Sequence, residues 1–483
     1  MPGHIEDRFG MTLSTSSVAA AERWQEGVDR LLSQNHAPEV KFQEAIDLDE
    51  GFAIAHGCLA FWYQQRARPE EARQTIEKAL ALSPGITRRE RQQIETVAHW
   101  IHGRGRDSIG LIKEHLNEFP RDGLLMRLAH RLYMLGCSGA GSPDFPPEYL
   151  GLLRKVAPHC MDDWAFLAEY AFAHHETGYL DAAWQFAQAS LDINPTNAVA
   201  CHSMTHVHFE RGDAASGEDF LGGWLQVFDS PPSSYVHLSW HLALFELAQG
   251  KYQETLDRYE NFIRPSVVAK SMSTLNDSAS LLWRLQMYCG APPPKPWEEV
   301  LTIAAPAAER PGAAFRDAHA ALAFAGGGDY DALATMINRL RKAAAEGNSF
   351  AREVVLPLVR GIEAFAKEDY TQAVRLMEPV FPQLVRIGGS HAQREVFEDT
   401  MLEAYIRAEQ FEKAEAMLRD RLKQRESVRD TFWLGRVQAG QGQAAEAKSS
   451  FNQATQGWQA GNPGTPELAN LNDLAGTMDC VVE

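Results

Sequence analysis

Apolar residues recur with the period of an α-helix along almost the whole chain, and no stretch shows convincing strand alternation. Residues 53–84 form the clearest unit. The spacing of its large apolar residues, small residues and closing proline is that of a tetratricopeptide helix pair, at Leu59, Ala60, Tyr63, Ala72, Ile76, Ala79 and Pro84. The small residues let two antiparallel helices approach closely, and proline ends the second helix. The pattern therefore predicts two packed helices here.

The same spacing returns at residues 164–195 and 235–265, and near the end of the chain, where the matching positions are Leu434, Gly435, Gly442, Ala447, Phe451 and Ala454. Helix pairs that repeat along a chain stack on their neighbours and curl into a superhelix. The sequence therefore predicts an all-α fold. We expect an α-solenoid of tetratricopeptide-like helix pairs in a right-handed superhelix that could close on itself.

The predicted organisation is a flexible N-terminal lead over residues 1–17, one repeat array over 18–460, and a tail or cap over 461–483. Two interruptions are candidate subdivisions of the array. One is a Gly/Ser/Pro-rich stretch at 136–147, for which we favour a long loop between repeats, and the other is a proline-rich break at 291–297.

Two capping boxes predict where helices begin. Thr87 is followed three residues later by Glu90, and Ser390 is followed three residues later by Gln393. In this arrangement the hydroxyl accepts from the backbone of the third helical residue, whose own side chain reaches back to the cap. We therefore expect helices to start directly after Thr87 and Ser390.

The net charge of the chain limits the classes of partner that we expect it to bind. It has 64 acidic and 46 basic residues among 483, for a formal net charge of −18. Such a surface repels phosphate backbones and anionic lipid, so we expect neither nucleic acid nor membrane as a partner. The six cysteines are scattered without a C-x-x-C and indicate reduced thiols, and no signal peptide is evident at the N-terminus. These features predict a cytoplasmic protein.

The candidate chemistry lies in two His-x-x-x-His pairs on consecutive helical segments, and seven of the 17 histidines fall between His174 and His241. Residues four apart share one face of a helix, so each pair can direct two imidazoles at one point. Imidazole is the commonest nitrogen ligand of zinc and iron. The pattern predicts a divalent metal site, with zinc or iron as the ion. Its ligands would be His202, His206, His237 and His241.

Acid–base chemistry is the second expectation at the same place. His206 and His241 are the candidate proton shuttles. Glu176, Glu210 or Asp277 could complete the coordination or act as general base to a bound water. Hydrolysis is the reaction that we favour. The sequence contains no His-Glu-x-x-His, Walker loop or Gly-x-Ser-x-Gly elbow, so it gives no motif support to zincin, nucleotide-binding or serine-hydrolase classes.

With these residues laid out, the chain resembles the tetratricopeptide repeat protein 38 family over nearly its whole length. The resemblance rests on short stretches, namely Thr87-Arg-Arg-Glu90, Glu176-Thr177, Ile193-Asn-Pro-Thr196, His202 with His206-x-His208, His237-x-x-Trp240-His241, Arg284-Leu-Gln-Met287, Asp317-Ala-His319 and Gly388-Gly-Ser-x-Ala-Gln-Arg394. The chain departs from the family at Arg131, where an acidic residue is expected, and at His391, where asparagine is expected. The resemblance implies a helical repeat fold with a shared histidine-containing centre. It implies no reaction.

Further residues complete the predicted site. His56 and His130 fall where the family has histidine, Trp240 is a candidate pocket wall, and Arg394 is a candidate anchor for a substrate carboxylate. With His319 they make up the predicted substrate-binding set.

Asp317 and His319 are two residues apart and should not face one another on a helix. We also expect His174 and His175 to straddle a helix edge, with one directed inward and the other solvated.

Two alternatives stay open. The histidines could be core residues that hydrogen-bond between stacked helices in place of the usual aromatic positions. The protein could also be a non-catalytic adaptor that binds a peptide or a partner protein in a concave groove. Because histidines and aromatic residues crowd the centre where an adaptor usually exposes Asn, Lys and Arg, we favour a pocket for a small-molecule ligand. The oligomeric state is open, and a homodimer is among the alternatives.

Overall fold

The computed structural model describes residues 5–228, 232–289 and 296–459, together with Glu467. In this part of the chain the regular structure is helical, apart from one isolated bridge between Glu6 and Thr12. The predicted all-α class is confirmed. The chain divides into two compact units. Of the described residues, the first unit contains those within 1–204 and 227–234, and the second contains those within 205–226 and from 235 onward.

The first unit is a succession of short helices joined by tight turns. They are α1 Val18–Leu32, α2 Pro38–Leu48, α3 Ala53–Gln65, α4 Pro69–Leu82, α5 Arg88–Ile101, α6 Gly105–Glu118, α7 Gly123–Tyr133, α8 Phe145–Val156, α9 Trp164–His175, α10 Leu180–Ile193 and the first half of α11 Ala198–Glu210. Short 3-10 turns occupy Gly136–Ser138 and Ala157–His159.

The second unit begins with the rest of α11 and continues in the same style. Its helices are α12 Ala214–Val227, α13 Pro232–Ala248, α14 Tyr252–Arg258, α15 Arg264–Val268, α16 Leu275–Cys289, α17 Trp297–Glu309, α18 Ala314–Gly326, α19 Tyr330–Ala345, α20 Leu356–Ala366, α21 Tyr370–Met377, α22 His391–Arg407, α23 Phe411–Gln424, α24 Val428–Gly440 and α25 Ala444–Gln459. Single π-turns at Tyr259–Ile263 and Ala351–Val355 precede α15 and α20, and 3-10 turns occupy Met272–Thr274 and Phe381–Ile387.

The predicted repeat units coincide with helix pairs. Residues 53–84 form α3 and α4, whose small contact residues Ala60, Ala72 and Ala79 are completely buried. Residues 164–195 form α9 and α10, and the last unit forms α24 and α25. The alternation of small and large side chains therefore packs each helix against its partner, as the sequence indicated.

Both capping boxes are formed. The Thr87 hydroxyl accepts from the Glu90 backbone N–H, and the Glu90 carboxylate accepts from the Thr87 backbone N–H. Ser390 and Gln393 make the same reciprocal pair at the start of α22. Each box satisfies backbone donors that a helix start would otherwise leave without an intrahelical partner.

Residues 5–17 are packed and hydrogen-bonded, unlike the flexible lead that the sequence predicted. Leu13 is buried, and the Asp7 carboxylate lies 3.2 Å from the Arg89 guanidinium. The Ser14 backbone N–H donates to Glu90, and the Thr15 hydroxyl donates to Asp49. These partners lie at least 34 residues further along the chain, so local sequence does not reveal them.

The predicted interruptions differ in part from the observed ones. Helix α8 begins at Phe145, within the stretch 136–147. Pro146 lies in its first turn, where the backbone N–H that proline lacks would have no intrahelical partner. The division into two units falls within α11, after Met204, rather than at either predicted interruption. Residues 291–295 and the predicted tail at 461–483, except Glu467, lie outside the described part of the chain.

Among the described helices, none combines the length and the apolar character needed to cross a bilayer.

The close contact inside α24 and α25 should be sensitive to side-chain size. A Cβ added at Gly435 would lie 2.6 Å from the Phe451 ring, whereas one added at Gly223 on α12 would meet open space. We therefore expect Gly435→Leu to lower the free energy of unfolding by about 2 kcal/mol through overpacking. Gly223→Ala should instead raise it by roughly 0.5 kcal/mol through helix propensity. Urea denaturation of both variants tests this, and equal stabilities would contradict the proposed contact.

Candidate functional site

The two predicted histidine pairs lie on α11 and α13. His202 and His206 are one turn apart on α11, and His237 and His241 are one turn apart on α13. His202 belongs to the first unit, while the other three belong to the second. The second unit therefore contains three of the four predicted metal ligands. We call His206, His237 and His241 the histidine cluster.

The rings of the histidine cluster are in edge-to-face contact. The centroid of His241 lies 4.5 Å from that of His206 and 4.8 Å from that of His237, with interplanar angles of 74° and 79°. His206 and His241 are almost completely buried, whereas the His237 side chain keeps 26% of its surface exposed. Helices α11 and α13 thus place these imidazoles side by side, with His237 toward solvent.

Asp277 fixes the orientation of the outermost ring. It lies on α16, and both of its carboxylate oxygens are 3.1 Å from His237 Nδ1. A carboxylate accepts and does not donate, so Nδ1 carries the proton and donates to Asp277. In the neutral ring this tautomer puts the acceptor lone pair on Nε2. A buried carboxylate that holds an imidazole in this way is the usual support of a metal-binding histidine.

Trp240 walls the cluster on the α13 side. Its ring stacks on His237 at 5.5 Å and meets His241 edge-on at 4.7 Å. Its indole N–H donates to the Ser280 hydroxyl, so the ring is anchored to α16. Ser280 is a residue that the sequence prediction missed. Its position three residues after Asp277, on the same face of α16, is the signal that could have identified it.

His319 lies on α18 and is held by its own helix. Its Nδ1–H donates to the Phe315 carbonyl at 2.8 Å, and its ring packs between Phe315 and Phe397. Burial lowers the pKa of His319 to about 4, although the bond to Phe315 and the charge of Asp277 oppose this shift. His319 is therefore neutral at pH 7.

Glu210 and Arg394 take part in a separate ion-pair group. The Glu210 carboxylate accepts from His391 Nδ1 at 2.9 Å. Burial opposes ionisation of Glu210, but the charge of His391 outweighs burial and lowers the pKa of Glu210. Burial likewise opposes protonation of His391, but the charge of Glu210 outweighs burial and raises the pKa of His391. Arg394 adds a positive charge near Glu210, and its guanidinium donates to the Gly389 carbonyl. The role of His391 was missed, although its departure from the family pattern marked the position.

In the first unit, His130 belongs to a buried polar group on α7, α8 and α9. The Glu169 carboxylate accepts from His130 Nδ1 at 2.6 Å, from Arg127 at 2.8 Å and from the Tyr149 hydroxyl at 2.7 Å. Burial alone would raise the pKa of Glu169, but the charges and hydrogen bonds of His130 and Arg127 lower it to about 2. His130 is thus held by a carboxylate that the sequence analysis did not single out.

The remaining first-unit residues each contact neighbours within that unit. His56 Nε2 lies 3.2 Å from the Glu50 carbonyl oxygen, and burial lowers the pKa of His56. Glu176 caps α9 and lies 3.7 Å from His175 Nδ1. The His202 ring stacks on Phe172 at 6.0 Å. Glu176 therefore lies in a different unit from Asp277 and the histidine cluster.

The sequence expectation for the adjacent pair His174 and His175 was wrong in one respect. We expected one side chain to face inward and the other to face solvent, but both are buried. His174 Nδ1–H donates to the Tyr170 carbonyl one turn earlier at 2.7 Å. Aromatic neighbours on α9 and α10 cover its ring, so the inward and outward sides of α9 are both packed.

Paired helices with tetratricopeptide-like spacing place the chain in the class of all-α helical-repeat proteins. No family model matches it. Solved structures with a similar backbone include a human IFIT1 dimer with m7Gppp-AAAA, at 13% identity and a TM-score of 0.36, covering 94% of this chain and 98% of that one. A monomeric IFIT1 mutant with Gppp-AAAA has 12% identity and a TM-score of 0.35, with the same coverage. A likeness at this level carries no inference about ligands.

The lowered pKa of His319 predicts a pH-dependent loss of stability. An unfolded histidine takes up a proton near pH 6.5, whereas folded His319 resists protonation down to a pKa of about 4. The unfolded state therefore binds more protons in this window, and stability should fall by up to about 3 kcal/mol as the pH drops from 6.5 to 4. Urea denaturation across this range should show a shallower decline for His319→Phe than for the wild type.

Phe397→Leu is the matched control for this measurement. It trims the ring that packs 5.1 Å from His319 but leaves the titrating group in place. It should lower stability at every pH and keep the wild-type pH dependence. An identical pH dependence in His319→Phe and the wild type would show that His319 does not resist protonation.

Proposed function

We propose that the histidine cluster binds a divalent metal ion, zinc or iron, or a small polar molecule in its place. The observation that carries the proposal is the hydrogen bond from His237 Nδ1 to Asp277, which turns His237 Nε2 into the acceptor atom of the ring. The His241 ring contacts the His237 ring, and the His206 ring contacts the His241 ring, so two further imidazoles lie in this arrangement. His202, predicted as a fourth ligand, lies in the first unit, and the proposal does not depend on it.

The surroundings of the cluster hold its rings in a fixed arrangement. Metal binding needs imidazoles whose orientation is set by neighbouring groups. Trp240 and its bond to Ser280 hold one wall rigid, so His237 and His241 keep their mutual orientation. The partly exposed edge of His237 provides a route for an ion or small molecule to reach the buried rings.

Hydrolysis is the reaction class that we propose for this site. A metal ion held by imidazoles lowers the pKa of its bound water toward neutrality. With metal bound, His206, His237 and His241 would hold the ion as ligands. Without metal, His206 and His241 would instead be the groups that accept and donate protons, because both rings lie within the buried cluster. Asp277 acts through His237 as a positioning residue. Glu176 and Glu210 have no part in this proposal, since one lies in the other unit and the other is paired with His391.

The proposal extends to family and location. Membership of the tetratricopeptide repeat protein 38 family is supported by the sequence motifs at α5, α11, α13, α16 and α22. The motifs on α11 and α13 contain the residues of the histidine cluster. The proposed cytoplasmic location is supported by the scattered cysteines, which include no C-x-x-C. A partner other than nucleic acid or lipid is supported by the net charge of −18. The alternative is an adaptor that binds a peptide. Absence of both metal binding and hydrolysis in the following measurements would favour it.

Metal analysis of purified protein is the first test. We expect wild-type protein supplied with zinc or iron to retain about one equivalent after gel filtration, and His206→Ala and His241→Ala to lose it. Asp277→Asn should weaken metal affinity by roughly 10–100-fold, because it removes the carboxylate that orients His237.

His208→Ala is the matched control for metal analysis. His208 lies on the same helix as His206, but its ring packs 5.7 Å from Phe220 and its Nδ1 lies 3.8 Å from Asp213. This variant should keep the metal. Folded wild-type protein that binds neither ion at micromolar concentration would contradict the metal site.

A second test is a screen of small amides and esters with and without a chelator. We expect hydrolysis that the chelator abolishes and added metal restores, and that His241→Ala lowers by at least about 100-fold. Activity that survives the chelator but is lost in His241→Ala would indicate metal-free acid–base chemistry. Activity unchanged by both treatments would place the reaction outside the cluster.

A further inference from the structure

A buried guanidinium lies at the start of α24, away from the histidine cluster. Arg429 is 7% exposed, and its Cζ lies 3.7 Å from the Tyr288 ring centroid, 5.6 Å from that of Trp458 and 6.0 Å from that of Trp433. Aromatic faces stabilise a cation but do not offset its complete desolvation. A guanidinium in this position needs a negative partner.

That partner is the carboxylate of Glu467. Glu467 Oε1 lies 2.5 Å from Arg429 Nη1 and also accepts from the Tyr252 hydroxyl. Arg429 Nη2 donates to the Leu247 carbonyl and to the Tyr252 oxygen. Glu467 is itself buried, although helix α25 ends eight residues earlier, at Gln459. A charge-assisted bond in an apolar cage is a strong form of carboxylate recognition.

Arg429 also lines a cavity of about 660 Å³ within the second unit, together with Tyr288, Leu247 and Leu434. This volume is in the range of small-ligand and peptide side-chain pockets. The neighbouring charges of the wall satisfy one another, because Arg421 is bonded to Asp399, Asp430 and Glu395. The carboxylate on Arg429 comes instead from a separate stretch of chain.

We propose that Arg429, Tyr252 and Tyr288 form a carboxylate-binding site for an acidic peptide segment, and that Glu467 is its built-in occupant. We call these three residues the cage. The chemistry of the ligand follows from the group that the cage binds, which is one side-chain carboxylate hydrogen-bonded to a guanidinium and a phenol at the edge of a cavity. An acidic peptide from a partner protein can present the same group and compete with Glu467. This proposal does not rest on the metal site, since it shares no residue with the histidine cluster.

Full-length protein with Glu467→Gln tests the site. This change leaves Arg429 buried without its charge partner, so a peptide carboxylate supplied from outside should be taken up. The probe is a fluorescent peptide with the sequence of residues 463–471, blocked at both ends so that its glutamate is its one carboxylate. We expect it to bind Glu467→Gln at least about 10-fold more tightly than wild type, because the tethered Glu467 competes at high effective concentration. A peptide with glutamine in place of that glutamate should not bind.

Two double variants separate the cage from general effects. Adding Arg429→Met to Glu467→Gln should abolish peptide binding. Adding Arg436→Met should preserve it, because Arg436 lies on the same helix but pairs with Glu403. Circular dichroism and cooperative thermal unfolding establish that each variant is folded. A folded Glu467→Gln protein that binds neither peptide, binds both equally, or binds no more tightly than wild type overturns the proposal.

A measurement on the wild type keeps the test independent of variant folding. At millimolar concentration the glutamate peptide should displace Glu467 and change tryptophan fluorescence, because Trp433 and Trp458 flank Arg429. The glutamine peptide should leave the fluorescence unchanged. Equal responses to the two peptides would reject carboxylate recognition by this cage.

Discussion

The close approach of helices at small residues is the constraint on which the rest of the structure depends. Gly435 faces the Phe451 ring, and Gly217 faces the Phe245 ring, at distances where an added Cβ would lie 2.6 and 2.5 Å from ring atoms. Such contacts fix the rotation and the depth of each helix against its neighbour. Because residues four apart share a face, fixing the rotation of a helix also fixes where its functional side chains point. The convergence of α11, α13 and α16 on one cluster is a consequence of this packing.

Dense packing also requires that ionisable groups inside it have partners. Asp122 lies between Arg89, Gln93 and His115, and although burial opposes its ionisation, the Arg89 charge holds its pKa well below the usual range. Such groups rigidify the helices that carry them, since removal of one partner leaves a buried charge uncompensated. The bond between His237 and Asp277 is of the same physical kind, but its histidine reaches solvent on one side.

Local features of the structure were predictable from the sequence, and distant pairings were not. The helix starts at Thr87 and Ser390 depend on residues three positions apart, so the sequence shows them directly. The i, i+4 spacing likewise predicted that His237 and His241 share a face. The pairing of His391 with Glu210 joins positions 181 residues apart, and the bond of Ser14 to Glu90 joins positions 76 residues apart. No periodicity in one sequence encodes which helices become neighbours.

The same limit explains why sequence alone could not separate structural histidines from candidate functional ones. His174 and His319 each donate Nδ1–H to the carbonyl one turn earlier on their own helix, so the ring is satisfied locally and needs no tertiary partner. His237 instead donates to a carboxylate on another helix, which orients the ring from outside. Both kinds of histidine lie on helices with an apolar face, so the sequence pattern does not distinguish them. Among these three rings the physical difference is the acceptor, because a backbone carbonyl only completes the packing of a helix, whereas a carboxylate on another helix can orient an imidazole to hold an ion. A carboxylate alone is not sufficient, since buried His130 donates to Glu169 inside a packed polar group, and His237 differs in keeping one edge open to solvent.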